Sequence, residues 1–276
     1  MGMLRALQSI LTSLGVHTNI QDFSMLFFLI FTRLASALTL TPFLGGKALP
    51  AQIKVGLSVM IAAILFPALN RTSGPMPDNF LFYCALLGKE FIVGMMIGFI
   101  SQMVFFGVQI AGTIIDTQRG LNQITYLAPE LPGNVSATGN LQIQASIALF
   151  LLLGGHLFFI RSLGLSFLVI PPIQLPHMTP GWEALAEEFT RISASAIRIG
   201  VQLCAPVVLT IFLVDVSFGS IQKVASSLKI SNDTNTAKSW IGLAVFCLSA
   251  PFFFQQLLHY LASMIPMIDH FIKSLA

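Results

Sequence analysis

The sequence predicts an all-α fold, a polytopic membrane protein built of helical hairpins. Two observations carry that prediction. Of 276 residues, 55% are hydrophobic and only 9% charged, with a mean hydropathy of +0.84, whereas soluble domains carry about 25% charged residues. Apolar runs near the length that crosses a hydrocarbon core of about 30 Å also recur along the whole chain. A separate soluble catalytic domain has no room.

The first residues read as a short amphipathic helix. Leu4, Leu7, Leu11 and Leu14 recur at three or four, with Arg5, Gln8, Ser9 and Thr12 on the other face. This pattern lacks a signal-peptide h-region and suits an interface or a partner surface. Six apolar segments follow, at residues 23–43, 53–69, 80–113, 141–174, 192–218 and 240–262. The second sits near the lower length limit for a span. The third and fourth, at 34 residues each, are too long for one, so each is a bent helix or a helical hairpin.

Prolines and glycines mark the connections. Pro42, Gly45, Gly46 and Pro50 break the chain after the first segment, and SGPMPD at 73–78 after the second. IPPIQLPHMTPGW, residues 170–182, reads as a stiff extended crossing, with the next helix starting near Trp182 and Glu183, Glu187 and Glu188 in its early turns. Lys47, Lys54, Lys223, Lys229 and Lys238 fall on one side of six crossings, which the positive-inside rule makes cytoplasmic. Cys84, Cys204 and Cys247 are odd in number and widely spaced within apolar runs. They read as packing residues, since this pattern forms neither a disulfide framework nor a metal site.

Ionisable groups in apolar runs are the best functional pointers, because a charge at the bilayer centre costs about 2.5–3.5 kcal/mol even on permissive scales. The candidates for an intramembrane polar network are Arg33, Lys89, Glu90, Arg161, Arg198 and Asp215, together with Asp116 and Arg119. Asp116 and Arg119 share a helical face and can neutralise each other. Lys89 and Glu90 point about 100° apart, so each is expected to need a different partner. Asp215 has no basic neighbour in sequence, so its partner comes from elsewhere in the fold or from another subunit. Each of these groups reads more simply as glue between helices than as a polar pathway.

Other chemistries find no support. The 14 basic residues are scattered singly, so no phosphate-tracking stripe exists and nucleic acid is not a partner. No H-E-x-x-H, G-x-S-x-G, Walker A or C-x-x-C occurs, and no cofactor, metal site or catalytic residue is expected. Gly94 and Gly98 form a G-x-x-x-G, continued by Gly107 and Gly112, which lets another helix approach closely, within the bundle or from a subunit.

Taken in order, Arg33, TPFLGGKALPAQIKVGL (41–57), GKEFIVGMMIGF (88–99), VQIAGTIIDTQRG (108–120), GGHLFFIRSLGLSFLVIPP (154–172) and APVVLTIFLVDVSFG (205–219) resemble the FliR/SctT family. These are export-gate membrane proteins of flagella and of type III secretion injectisomes. The resemblance covers about residues 20–262, and the D-x-Q-R-G of Asp116, Gln118, Arg119 and Gly120 is closer to the SctT branch. After Leu228 the chain departs from the family with KISNDTNTAKSW, which implies a differently shaped turn.

The resemblance implies an SctR/FliP-like front part over residues 1–190 and an SctS/FliQ-like hairpin with a C-terminal tail over 191–276. It implies one copy among SctR/FliP-like and SctS/FliQ-like subunits in the bacterial inner membrane, partly raised above the bilayer. An SctU/FlhB-like switch protein, an SctV/FlhA-like export protein, membrane lipid and unfolded secreted proteins are the further partners. It also implies that residues 114–137 form a channel plug, in which Asp116, Gln118, Arg119 and Gly120 lie at the base, followed by Leu121, Ile124, Tyr126, Leu127 and Pro129. Physical reasoning agrees that irregular backbone at membrane depth is tolerated only inside protein or beside a water-filled cavity. The rival readings are a stand-alone small-molecule or ion transporter, whose halves would repeat, and a membrane-embedded enzyme.

Overall fold

A computed structural model describes residues 20–45, 49–70, 77, 79–120, 136–175, 181–224 and 231–274. Among them the chain is all helical: α1 (Ile20–Leu40), α2 (Ala51–Asn70), α3 (Phe80–Gln118), α4 (Ala137–Leu152), α5 (Gly155–Val169), α6 (Gly181–Val224) and α7 (Ser231–Ser274). Five of these, α1, α2, α3, α6 and α7, are long and apolar enough to cross a membrane, and the α4–α5 pair makes a sixth span if counted as one. The protein is a multi-pass membrane protein. The amphipathic stretch at Leu4–Leu14, the 73–76 part of the second turn and the 176–180 part of the proline-rich crossing lie outside the described residues.

Local sequence sets the helix ends. Asp22 sits in the first turn of α1, where a carboxylate favours the dipole, and Pro42 stops the helix. The Asn79 side chain caps α3 by accepting the Leu81 N–H at 3.0 Å. The long third segment is one 39-residue helix rather than a hairpin. It ends where Gly120 takes φ 76°, a left-handed conformation that glycine adopts without a Cβ penalty. The fourth segment breaks into α4 and α5 at a 73° bend, with Gly154 left-handed at φ 73°. The last two helices overrun their apolar segments, each reaching 44 residues.

The chain forms two compact units, each gathered from separate stretches. The first comprises Met1–Gln102, Gly154–Leu185 and Ile265–Ala276. Its core is Leu29, Ile30, Leu34, Ala37 and Leu38 of α1, Ile97 of α3, Phe159, Leu163 and Phe167 of α5, and Ile268 and Phe271 of α7. Gly94 and Gly98 of α3 lie directly on α1. A Cβ at Gly98 would come within 2.5 Å of the Ala37 carbonyl oxygen, and one at Gly94 would overlap the Arg33 carbonyl and the Ser36 hydroxyl. The G-x-x-x-G therefore serves packing within this unit. Near the end of α7, Asp269 accepts a hydrogen bond from Ser162 of α5 at 2.8 Å.

The second unit comprises Met103–Leu153 and Ala186–Met264. Here the later part of α3 crosses α4 at Gly112 and Gly139, where no Cβ fits, and crosses α6 at Gly107 and Gly200. Phe105 meets Phe150 edge-on at 5.7 Å between ring centroids. Val207 and Ile211 of α6 and Leu257 and Leu261 of α7 are buried. Cys204 is buried too, while Cys84 and Cys247 are exposed, as are Phe252 and Phe254 on either side of the buried Phe253.

Gly94→Ala tests the α1–α3 contact. The added methyl meets a backbone carbonyl that cannot give way, so an overpacking cost of about 1–3 kcal/mol should outweigh the ~1 kcal/mol gain in helix propensity. The thermal midpoint of the detergent-purified protein should fall, whereas Gly88→Ala, whose Cβ meets nothing within 4 Å, should leave it unchanged or raise it.

Candidate functional site

The ionisable groups of the apolar helices gather into two buried clusters, one in each unit. In the first unit, Glu90 of α3 is fully buried and receives two cations. Arg33 of α1 meets it with both Nε (2.5 Å) and Nη2 (2.8 Å), and Lys89 reaches its Oε1 at 2.6 Å. Lys89 and Glu90 each have a separate partner, Arg33 for Glu90 and a turn for Lys89, and despite their 100° separation they also pair with each other. The flexible four-carbon lysine stem lets the ammonium turn back to its neighbour while also serving a third group.

That third group is the turn after α5. The Lys89 ammonium donates to the carbonyls of Pro171, Pro172 and Gln174 at 2.8, 3.0 and 3.0 Å. The Pro171 carbonyl also takes the Gln174 N–H at 3.3 Å, so the same turn that closes on itself presents its carbonyls to the ammonium. Arg33 adds Nη1 to the Ser166 hydroxyl at 3.1 Å and Nη2 to the Ile170 carbonyl at 2.8 Å, and its guanidinium lies 4.1 Å from the Phe167 ring centroid. Three helices and one turn are therefore pinned to a single carboxylate. The cluster carries one net positive charge spread over four carbonyls and a hydroxyl, which suits a fixed structural centre.

In the second unit, Asp116 of α3 serves the start of α4. Its Oδ2 accepts from the Ser136 hydroxyl at 2.6 Å and the Thr138 N–H at 2.9 Å, and its Oδ1 accepts from the Thr138 hydroxyl. Ser136 in turn caps α4 by accepting the Gly139 N–H at 2.8 Å. An anion at a helix N-terminus is favoured by both the free N–H groups and the dipole. Asp116 thereby joins the residues on either side of 121–135 at one point.

Arg119 is held more loosely. It stands 3.7 Å from Asp116, 3.4 Å from the Thr138 hydroxyl and 3.3 Å from the Ser239 carbonyl of α7, and among the described residues its Nε has no partner. Ser239 returns a bond from its hydroxyl to the Arg119 carbonyl at 3.0 Å. Next to it, Lys238 pairs with Asp215 of α6, which supplies the distant partner that Asp215 requires.

The remaining candidates stand apart. Arg161 and Arg198 are exposed and have no ion-pair partner among the described residues. Gln118 is exposed and Gly120 forms the turn, while Leu121, Ile124, Tyr126, Leu127 and Pro129 lie outside the described residues. An open groove of about 300 Å³ runs along the outer face of α3, lined by Phe106, Gln109, Ile110, Thr113 and Ile114. Among the described residues no group of three or more His, Cys, Asp or Glu gathers as a metal site would need.

Sequence reasoning missed Ser136, Thr138, Ser166 and Ser239. The first two had a readable signal, since Ser and Thr directly before an apolar run mark a helix start. Ser166 and Ser239 had none, because their partners lie more than a hundred residues away.

Comparison with known proteins places this geometry in context. The family model described as "Bacterial export proteins, family 1" matches residues 24–264. The "Flagellar biosynthetic protein FliR" of Caulobacter vibrioides is 24% identical over 221 residues, covering 80% of this chain and 86% of the relative. The "Yop proteins translocation protein T" of Yersinia pestis is 27% identical over 226 residues, covering 80% and 85%. The "Surface presentation of antigens protein SpaR" of Shigella flexneri is 24% identical over 233 residues, covering 84% and 88%.

Removing the Glu90 carboxylate charge leaves two buried cations uncompensated, a loss of about 3–5 kcal/mol for a broken buried pair. Glu90→Gln should therefore abolish recovery of folded protein from detergent, while Arg161→Ala and Arg198→Ala should shift the thermal midpoint little, within about ±0.5 kcal/mol. A second expectation concerns Asp116. Because it accepts a backbone N–H, exchanging the charges by Asp116→Arg with Arg119→Asp should not restore the stability lost in either single variant. Recovery in the double variant would show the Asp116–Arg119 pair to outweigh the cap.

Proposed function

Because the chain belongs to bacterial export proteins, family 1, we propose that it is a FliR/SctT-type export-gate subunit of a type III secretion apparatus, lining a channel for unfolded proteins in the bacterial inner membrane. FliR-named and injectisome-named relatives match at similar identity, so the reading rests on what both kinds share. Residues 1–190 form the SctR/FliP-like part and 191–276 the SctS/FliQ-like hairpin. Neighbours in the assembly are SctR/FliP-like, SctS/FliQ-like, SctU/FlhB-like and SctV/FlhA-like proteins. The role is a conduit without catalysis, its energy supplied by other components.

The observation that carries the plug reading is the Asp116 clamp. A carboxylate near the end of α3 bonds the first residues of α4, so the 15 residues 121–135 leave and return at one anchored point. That segment holds Leu121, Ile124, Tyr126, Leu127 and Pro129, an apolar set suited to blocking a watery channel. Exposed apolar side chains on α2, α6 and α7, among them Ile64, Leu213 and Leu248, support lipid and subunit contacts. The stand-alone transporter gains nothing from this geometry, since neither cluster encloses a substrate-sized cavity among the described residues.

Deleting residues 121–128 should raise ion leakage through the assembled complex in membranes while co-purification with the SctR/FliP-like subunit persists. Unchanged conductance in an assembled complex would remove the plug. Isolation of an active monomer from mild detergent would favour the transporter instead.

A further inference from the structure

The two buried arginines of this protein are held in opposite ways. Arg33 is completely buried, and its contacts at 2.5, 2.8, 2.8 and 3.1 Å engage every guanidinium nitrogen. Arg119 is 7% exposed, its guanidinium contacts stand at 3.3, 3.4 and 3.7 Å, and among the described residues its Nε is left without a partner. The natural counter-ion, Asp116, has both oxygens committed to Ser136 and Thr138. A buried guanidinium with an idle donor and only long contacts is weakly retained, because unmade bonds forfeit the gain that offsets its desolvation.

The position of Arg119 gives that weakness a mechanical meaning. Among the described residues of the second unit, glycines mark two contacts of α3 and its end with α6 and α7. One is the close crossing at Gly107 and Gly200, where a Cβ on Gly107 would come within 2.7 Å of the Ala196 carbonyl and 2.9 Å of Ile199. This contact is tight, backbone against backbone with the branched side chains of Ile110 and Ile199 packed around it. The other lies farther along α3, about 18 Å at 1.5 Å per residue, where Arg119 and Ser239 exchange two hydrogen bonds. At that place Gly242 leaves room for the Arg119 stem, since a Cβ there would stand 2.7 Å from Cγ and 3.1 Å from Cδ. The hairpin is itself tied beside this point by Lys238 and Asp215, so its two strands of helix move together.

We propose that Arg119 with Ser239 and Gly242 is a releasable joint between the end of α3 and the α6–α7 hairpin, the Gly107–Gly200 crossing acting as its fixed pivot. Opening requires only the loss of the two hydrogen bonds between Arg119 and Ser239, at 3.3 and 3.0 Å, while Asp116 keeps its hold on α4. Ser239 and Gly242 are positioning residues: they decide where the α3 end stands relative to the hairpin. The trigger, passage of an unfolded chain, rests on the export reading. The joint itself does not, and can be opened without substrate.

The test reads access to Ser239, which is half-buried under Arg119. Ser239→Cys, which keeps the carbonyl that Arg119 reaches and weakens only the hydroxyl bond, is placed in the full chain with Cys84, Cys204 and Cys247 replaced by alanine, and the assembled complex is labelled in membranes with a small maleimide, every rate being compared with this parent. Adding Gly242→Ala, which pushes the Arg119 stem aside, should raise the labelling rate several-fold without substrate, and arrest of an exported chain in the complex should do the same with Gly242 intact. A rate unmoved by Gly242→Ala overturns the joint. A rise with Gly242→Ala but none with arrested substrate overturns only its link to export. Where Gly242→Ala prevents assembly, Arg119→Lys, which cannot span the same contacts, takes its place: faster labelling supports the joint and an unchanged rate removes it.

Discussion

Glu90 is the constraint on which the first unit depends. A carboxylate at 0% exposure inside an apolar protein cannot remain charged alone, and here it is met by a guanidinium and an ammonium that in turn need acceptors. Those acceptors are the Ser166 hydroxyl and the carbonyls of Ile170, Pro171, Pro172 and Gln174. One buried charge thereby dictates where α1, α3, α5 and the following turn must lie. The close α1–α3 approach at Gly94 and Gly98 follows the same demand, since Arg33 must come near enough to reach Glu90.

Asp116 solves a related problem with a different currency of donors. Its oxygens take hydroxyls and a backbone N–H at the α4 start, so the helix end itself supplies most of the countercharge. This frees Arg119 from the role that a salt bridge would impose. The same residue types, an acid and an arginine at buried positions, thus build a rigid centre in one unit and an adjustable contact in the other. What separates them is the number of short bonds on the guanidinium.

Much of this was legible beforehand and the rest was not, for physical reasons. Hydropathy found the apolar cores of five spanning helices, because transfer to lipid selects composition directly. It underestimated α3, α6 and α7, whose ends are polar or charged yet remain helical. Gly154 and its neighbours marked the break between α4 and α5, although sequence left bend and hairpin open. The charged residues were picked out as a set, but Glu90 binding both Arg33 and Lys89 depends on side-chain reach and on a turn some 80 residues away. Helical-wheel angles do not encode that. Arg161 and Arg198 illustrate the converse: an arginine inside an apolar stretch need not be buried.

Arg198 also bears on where the membrane ends. The first half of α6 exposes Glu187, Arg191, Arg198 and Gln202 on one side, whereas its second half exposes Leu209, Phe212, Leu213 and Val216. A helix of 44 residues is about 66 Å long, twice a hydrocarbon core of about 30 Å. Arg191 and Arg198 stand about 10 Å apart along the helix, so one of them at mid-bilayer facing lipid would cost about 2.5–3.5 kcal/mol. The second half exposes those apolar side chains but also carries Asp215, paired with Lys238, and the exposed Lys223. The side of the first half that carries Glu187, Arg191, Arg198 and Gln202 therefore suits water or protein better than lipid.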